Sequence, residues 1–327
     1  AIGSANIDIS AVGNLLLADT DPTAITSEDG NITLTSSASV LLGDATNAAA
    51  AVNTSGSGDV SVDGVTAVTF NAVAGTGIGT VLAPVGGRVL IDGGTVTIEG
   101  QGVVAQDDVR ITSAGAIDLN NTTGAVDEPI RSETGFVTIL STGAVTQAPD
   151  TIIFGFEGVD MASGGANALT ATNVNSGGPI NLNQAGPINI NGVGVTAVGD
   201  VIIATQDILT INTTTIESIG AEVFLESDTD GGGGDNLILT AGQILGDDVH
   251  IQANGSDVTL TVDPNNTIGG LIFGNSAAVA VNGGTLTARD DIDFSGMTTT
   301  TTLGADTTIN STTGDVLFGD DILGTPT

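Results

Sequence analysis

The chain has 327 residues, with 38 Asp and Glu against four Arg and no Lys, for a formal net charge of −34. That balance excludes unaided binding to nucleic acid or to an anionic membrane, because both need basic side chains to neutralise phosphate. Cys is absent, which excludes disulfides, a thiolate nucleophile and a Cys-ligated zinc site, and a mean hydropathy of +0.33 argues against disorder.

Taken in chain order, the apolar residues fall into short alternating pairs of segments separated by turn residues. Ile7 is followed eight residues later by Leu15, Ile32 by Val40, Val109 by Ile117, Val137 by Val145, Ile180 by Ile188 and Val201 by Leu209. Within each segment apolar residues alternate with small polar ones, which at period two places one row inward and one outward. Successive units begin at Ile7, Ile32, Val60, Val89, Val109 and Val137, a spacing of about twenty to thirty residues that lies in the range of solenoid repeats. Asp precedes the first apolar residue again and again, as GDV at residues 58–60, 199–201 and 314–316 and as DDV or DDI at 107–109, 247–249, 290–292 and 320–322.

No segment shows the i, i+3, i+4, i+7 pattern of an amphipathic helix. Thr, Val and Ile suit pleated strands, while Gly, Asn and Asp suit the corners between them. The expected fold is all-β with little or no helix: a right-handed parallel β-helix running through residues 1–327 as a single elongated solenoid. At roughly 22 residues per coil it makes about fifteen coils. The competing all-β reading, a pair of antiparallel sandwiches or a barrel, draws on the stretches GVTAVTFNAVAG and ANALTATNVNSGG. It lacks regular hairpin signals, since Asn-Gly occurs only at 191–192, 254–255 and 282–283. Residues 231–234 and 298–302 read as loops bulging from the coils.

The pattern at residues 108–119, DVRITSAGAIDL, with similar versions at 31–42, 135–145 and 200–211, resembles the repeats of filamentous-haemagglutinin-type exoproteins. That resemblance implies a long right-handed β-helix, export across a bacterial envelope, and a role in adhesion, aggregation or a fibrous surface layer. The NPN-type motifs of that family's secretion module have as their nearest string DPNN at 263–266, so the chain reads as shaft. No run of about 18 apolar residues provides a membrane-spanning helix, the nearest being short stretches such as 81–87. The chain starts at Ala1 without a signal-like segment, and the expectation is a processed or excerpted extracellular or cell-surface protein. Strands begin close to both termini without an amphipathic cap, which leaves two outcomes open: coils that continue head-to-tail into more chain or a second copy, or terminal residues that fold over the ends.

Candidate chemistry is sparse. Asp228, Asp230 and Asp235 flank four glycines and offer the oxygens that a hard cation such as Ca2+ wants on a flexible backbone, in an order that partly imitates the glycine-rich calcium nonapeptide. The alternative is an exposed acidic turn, with diffuse divalent binding along the whole molecule. His250, the chain's one His, shares an outward face with Asp248, the geometry of an acid–base pair, although the repeated Asp-Asp favours a plain surface His. The adjacent acids at 107–108 and 320–321 point to opposite faces and cannot act as a glycosidase pair. Arg88, Arg110, Arg131 and Arg289 are too dispersed for an anion clamp and pair with neighbouring acids such as Asp108 or Asp290. The GTGIGT run at 75–80 lacks the Lys and the helix of a phosphate loop, and the Thr pairs at 33/35, 95/97 and 285/287 lack the strict period of an ice-binding array. Eight N-x-S/T triplets, at Asn31, Asn53, Asn120, Asn121, Asn212, Asn254, Asn265 and Asn310, are potential glycan acceptors in a chain whose composition also produces them by chance. The sum is a non-catalytic structural or adhesive shaft with a glycan or cell-surface receptor as partner. The alternative is a carbohydrate-binding or carbohydrate-cleaving β-helix.

Overall fold

A computed structural model describes residues 5–18, 25–43, 52–71, 77–100, 102–120, 129–262, 267–304, 306–319 and 321–324. The chain divides into two compact units, residues 1–164 and 165–327, and each is a parallel β-solenoid. Together they hold about 12 turns, and the described residues are 62% strand with no helix among them. The expected count of about fifteen is too high because a turn is longer than 22 residues wherever a corner carries an insertion. The step from Val89 to Val109 takes 20 residues and that from Val60 to Val89 takes 29.

In the first unit three columns of strands stack in parallel. The first column runs Ile7–Ala11, Ile32–Ser36, Val60–Gly64, Val89–Gly93, Val109–Ser113, Phe136–Ser141 and Gly158–Ala162. Its register aligns Ile7, Ile32, Val60, Val89, Val109 and Val137 one above another, so the unit starts read from the apolar spacing are one column of the core. The second column aligns Leu15, Val40, Val68, Val96, Ile117 and Val145. The third aligns Ile25, Val52, Ile78, Val103, Ile130 and Ile153. Alternation sends these residues inward, where nearly all are fully buried, each contributing about 1.5–3 kcal/mol of apolar transfer energy. β-Branched side chains stacked on β-branched side chains fill a narrow interior without Trp or Tyr.

The second unit repeats the first column, with Ile180, Val201, Val223, Val249, Leu271, Ile292 and Val316 in register. Its second column is built from longer strands, including Ile188–Ala197 and Leu209–Ser218, which turn the corner themselves. The Asn-Gly at 191–192 lies inside such a strand, not in a hairpin, and Gly192 and Gly194 take φ of 69° and 109° where the strand bends. Near the C-terminal end of this unit the core carries an aromatic stack. Phe273 and Phe294 lie 4.6 Å apart and Phe294 and Phe318 lie 5.0 Å apart.

Within each unit the described strands pair in parallel, and an isolated bridge between Thr80 and Ala83 is antiparallel. The segments offered for an antiparallel sandwich form the parallel strands Ala67–Phe70 and Leu169–Ser176. One loop expectation is overturned: residues 298–302 lie within the strand Met297–Leu303, where Thr301 is buried and stacks on Val279. A run of β-branched Thr is a good strand sequence even without alternation. The DPNN string at 263–266 lies outside the described residues.

Candidate functional site

The recurrent Asp before each first-column strand has a structural task. In the first unit Asn31 N–H donates to Asn6 Oδ1 (3.0 Å), Asp59 N–H to Asn31 Oδ1 (3.0 Å), Arg88 N–H to Asp59 Oδ1 (2.8 Å) and Phe136 N–H to Asp108 Oδ1 (2.9 Å). In the second, Glu222 N–H donates to Asp200 Oδ1 (3.2 Å) and Asp315 N–H to Asp291 Oδ1 (2.8 Å). Each carboxylate or amide therefore takes the corner N–H of the next turn, which the sheet ladder leaves without a backbone acceptor. The residue before it in that next turn must be small: a Cβ on Gly135 would overlap Asp108 Oδ1. The corner rule thus has two parts: Asp59 and Asp200 of the G-D-V motifs serve the turn above, and Gly87, Gly135 and Gly314 make room for Asp59, Asp108 and Asp291 below.

Three of the arginines are paired with acids. Arg88 pairs with Asp59 at 2.8 Å, one turn away in the corner column, and not with Asp108, whose oxygen serves Phe136 N–H. Arg131 pairs with Glu133 at 2.7 Å and lies over the Phe154 ring at 4.4 Å, and Arg289 pairs with Asp290 at 2.7 Å as expected. Arg88 holds the Asp59 carboxyl below its ordinary range despite the opposing effect of burial, and Arg131 does the same for Glu133. The triplet asparagines are partly committed as well. Asn53 Nδ2 donates to Ala83 O (3.1 Å) and Asn254 Nδ2 to Glu226 Oε1 (2.7 Å), while Asn121 and Asn265 lie outside the described residues.

The three loop acids converge. One oxygen from each of Asp228, Asp230 and Asp235 lies within 4.8 Å of the others. Asp228 is fully buried, with a left-handed φ of 54°. Its carboxylate accepts Gly233 N–H (3.0 Å to Oδ2) and the Ser256 hydroxyl from the following turn (2.6 Å). Ser256 Oγ in turn accepts the N–H groups of Gly234 (2.8 Å) and Asp235 (3.1 Å), pinning the glycine run. Burial pushes the Asp228 carboxyl up, but Ser256 and the Gly233 and Gly232 N–H groups outweigh it and hold the group below its ordinary 3.8. Asp235 is shifted upward by burial and by the charges of Asp207, Asp228 and Asp230. Three carboxylates on one glycine-rich turn can offer a hard divalent cation oxygens from one side.

His250 is half-buried and lies flat against Phe224, with ring centroids 4.7 Å apart and planes 8° apart. It does share its face with Asp248, and the structure adds Glu222 from the preceding turn. Sequence reasoning missed Glu222. The signal was present, because Glu222 stands before Val223 as Asp248 stands before Val249. A separate shallow groove of about 330 Å³ on the outer face of the first unit is lined by Asp63, Asp92, Arg110 and Thr112. Thr112 Oγ1 donates to Asp92 Oδ1 at 2.9 Å.

No protein-family model, curated protein or solved structure matches the chain.

Proposed function

We propose that the chain is a non-catalytic extracellular shaft, a structural or adhesive element of a cell surface. The observation that carries this reading is the turn-to-turn register. Backbone ladders, stacked apolar columns and the Asp/Asn corner series all spend their side chains on joining one turn to the next. Bonding of that kind resists extension and bending, which is what a shaft must do. The finer reading is an exoprotein of the filamentous-haemagglutinin type, supported by the DVRITSAGAIDL pattern, whose Val109, Ile111, Ile117 and Leu119 are all buried core residues.

Self-association belongs to the proposal. Ile7, Ile9, Leu15 and Leu17 are only half-buried although their partners Ile32, Leu34, Val40 and Leu42 are fully buried, and Ile322 at the other end of the described chain is 49% exposed. These core-facing positions offer a second copy a turn to stack on. A Ca2+ ion among Asp228, Asp230 and Asp235, and a cell-surface glycan or receptor against the outer face, are the partners of this reading. Electron microscopy of the purified protein, with and without a calcium chelator, tests it. Fibres with a regular axial repeat are expected, and isolated particles at all concentrations would remove the self-association.

The groove at Asp63, Asp92 and Arg110 favours a second reading, carbohydrate binding, because carboxylates and an Arg side by side on a flat sheet offer both acceptors and donors to sugar hydroxyls. A glycan array separates the two. Binding abolished by Asp92→Asn supports it, and an array without signal leaves the shaft alone.

A further inference from the structure

Glu222, Asp248 and His250 form a second cluster in the second unit, chemically unlike the all-oxygen loop. The register pairs Val223 with Val249 and Phe224 with His250, so Glu222 stands one turn away from Asp248 in the corner column, and His250 follows on the same outward face. One potential ligand atom from each of the three lies within 4.8 Å of the others. His250 Nε2 is 3.5 Å from Glu222 Oε2. A charge-assisted N–H···O bond would close to about 2.7–2.9 Å. Nε2 is nevertheless shut off from solvent and has no hydrogen-bond partner among the described residues.

A buried ring nitrogen beside the Glu222 carboxylate without bonding it needs a reason, and a metal ion supplies one. With metal–ligand distances of about 2.0–2.1 Å, two ligands of a tetrahedral ion stand about 3.3–3.4 Å apart, close to the observed separation. The ring is already oriented, since Phe224 holds it face to face. Asp248 is seated over Gly270, where a Cβ would crowd its Oδ1. Arg289, the one Arg of the second unit, has its guanidinium engaged by Asp290.

We propose that Glu222, Asp248 and His250 bind a divalent transition-metal ion, with Zn2+ as the representative. One imidazole nitrogen and two carboxylates form a mixed set that suits Zn2+ better than Ca2+ or Mg2+, which take oxygen only. The fourth position is left to water. The ion ties two successive turns together through their side chains, adding a metal staple to the backbone ladder.

The test uses the full chain stripped of metal and the fact that it has one His, so its imidazole C–H resonances in the proton NMR spectrum are unique. Zn2+ is titrated in millimolar Ca2+, which saturates diffuse carboxylate binding without taking the nitrogen. The expected result is a shift of the His250 resonances that saturates at one equivalent of Zn2+. Glu222→Gln and Asp248→Asn should each weaken that transition by more than about 10–100-fold, the loss typical of even an outer-shell partner. Circular dichroism confirms that both variants keep the fold. Resonances that do not move with Zn2+, or that move with the same midpoint in both variants, would overturn the proposal and leave His250 as an ion-pair partner of Glu222.

Discussion

Phe294→Ala probes the interior stack where it is most concentrated. The side chain is fully buried, and its ring is stacked on both sides, at 4.6 Å by Phe273 and at 5.0 Å by Phe318. Truncating a buried Phe costs about 3–5 kcal/mol through lost transfer energy and the cavity left behind. Two ring pairs, each contributing about 0.5–1.5 kcal/mol beyond their area, place this site near the top, at about 4–5 kcal/mol. Phe294→Leu keeps most of the volume but loses both ring pairs and should cost about 1–3 kcal/mol, less than Phe294→Ala. The chain has neither Trp nor Tyr, so unfolding in urea is best followed by far-ultraviolet circular dichroism, with hydrogen exchange for location. In a solenoid each turn contacts only its neighbours. Peptides covering Gly270–Phe273, Ile292–Phe294 and Val316–Phe318 should therefore lose protection while those covering Ile32–Ser36 and Val60–Gly64 keep it. A cost below about 1 kcal/mol for Phe294→Ala, or exchange that rises evenly along the chain, would refute the reasoning.

Other expectations follow from the corners and the charge. Gly135→Ala should destabilise by about 1–3 kcal/mol, and combining it with Asp108→Ala should recover part of the loss, because the clash is with Asp108 Oδ1; additive effects in a double-mutant cycle would contradict the corner rule. With a net charge of −34, thermal stability should rise between low salt and physiological salt as the Debye length falls from about 30 Å to about 8 Å, and a melting temperature indifferent to salt would show that the charges are already compensated. Asp228 titrates below 3.8 in the folded protein, so it contributes stability above its unfolded value that is lost as pH falls through the lower folded one. Asp228→Asn should flatten that acid limb, and an unchanged pH profile would remove the carboxylate from the account. Millimolar Ca2+ should raise the melting temperature of the parent chain more than that of a Asp230→Asn/Asp235→Asn variant, and equal rises would leave only diffuse binding.

Much of the fold was written in the spacing of apolar residues. The eight-residue offsets at Ile7/Leu15 and Val109/Ile117, and the unit starts from Ile7 to Val137, are the observed first and second columns because both strands are short, alternating and joined by a tight corner. The third column was not legible. Its strands, such as Gly77–Ile78 and Val52–Thr54, are too short to show a period, and the connections before them vary in length. The Thr run at 298–302 was misread because repetition was taken for looseness, whereas Thr301 fills a core position above Val279. The convergence of Asp228, Asp230 and Asp235 could be anticipated from their proximity in sequence. Glu222 was legible as the residue before Val223, equivalent to Asp248 before Val249, but the sequence alone does not lay one turn on the next and so did not join it to His250.

The central claim is that the stacked turns form a shaft, and pulling a single molecule by its two ends tests it most directly. Turns of 20 to 29 residues, at about 3.3–3.6 Å per extended residue, predict resistance to load followed by successive releases of about 65–100 Å as turns peel away one after another. Extension without a force plateau, or collapse of the whole chain in one low-force event, would contradict the shaft.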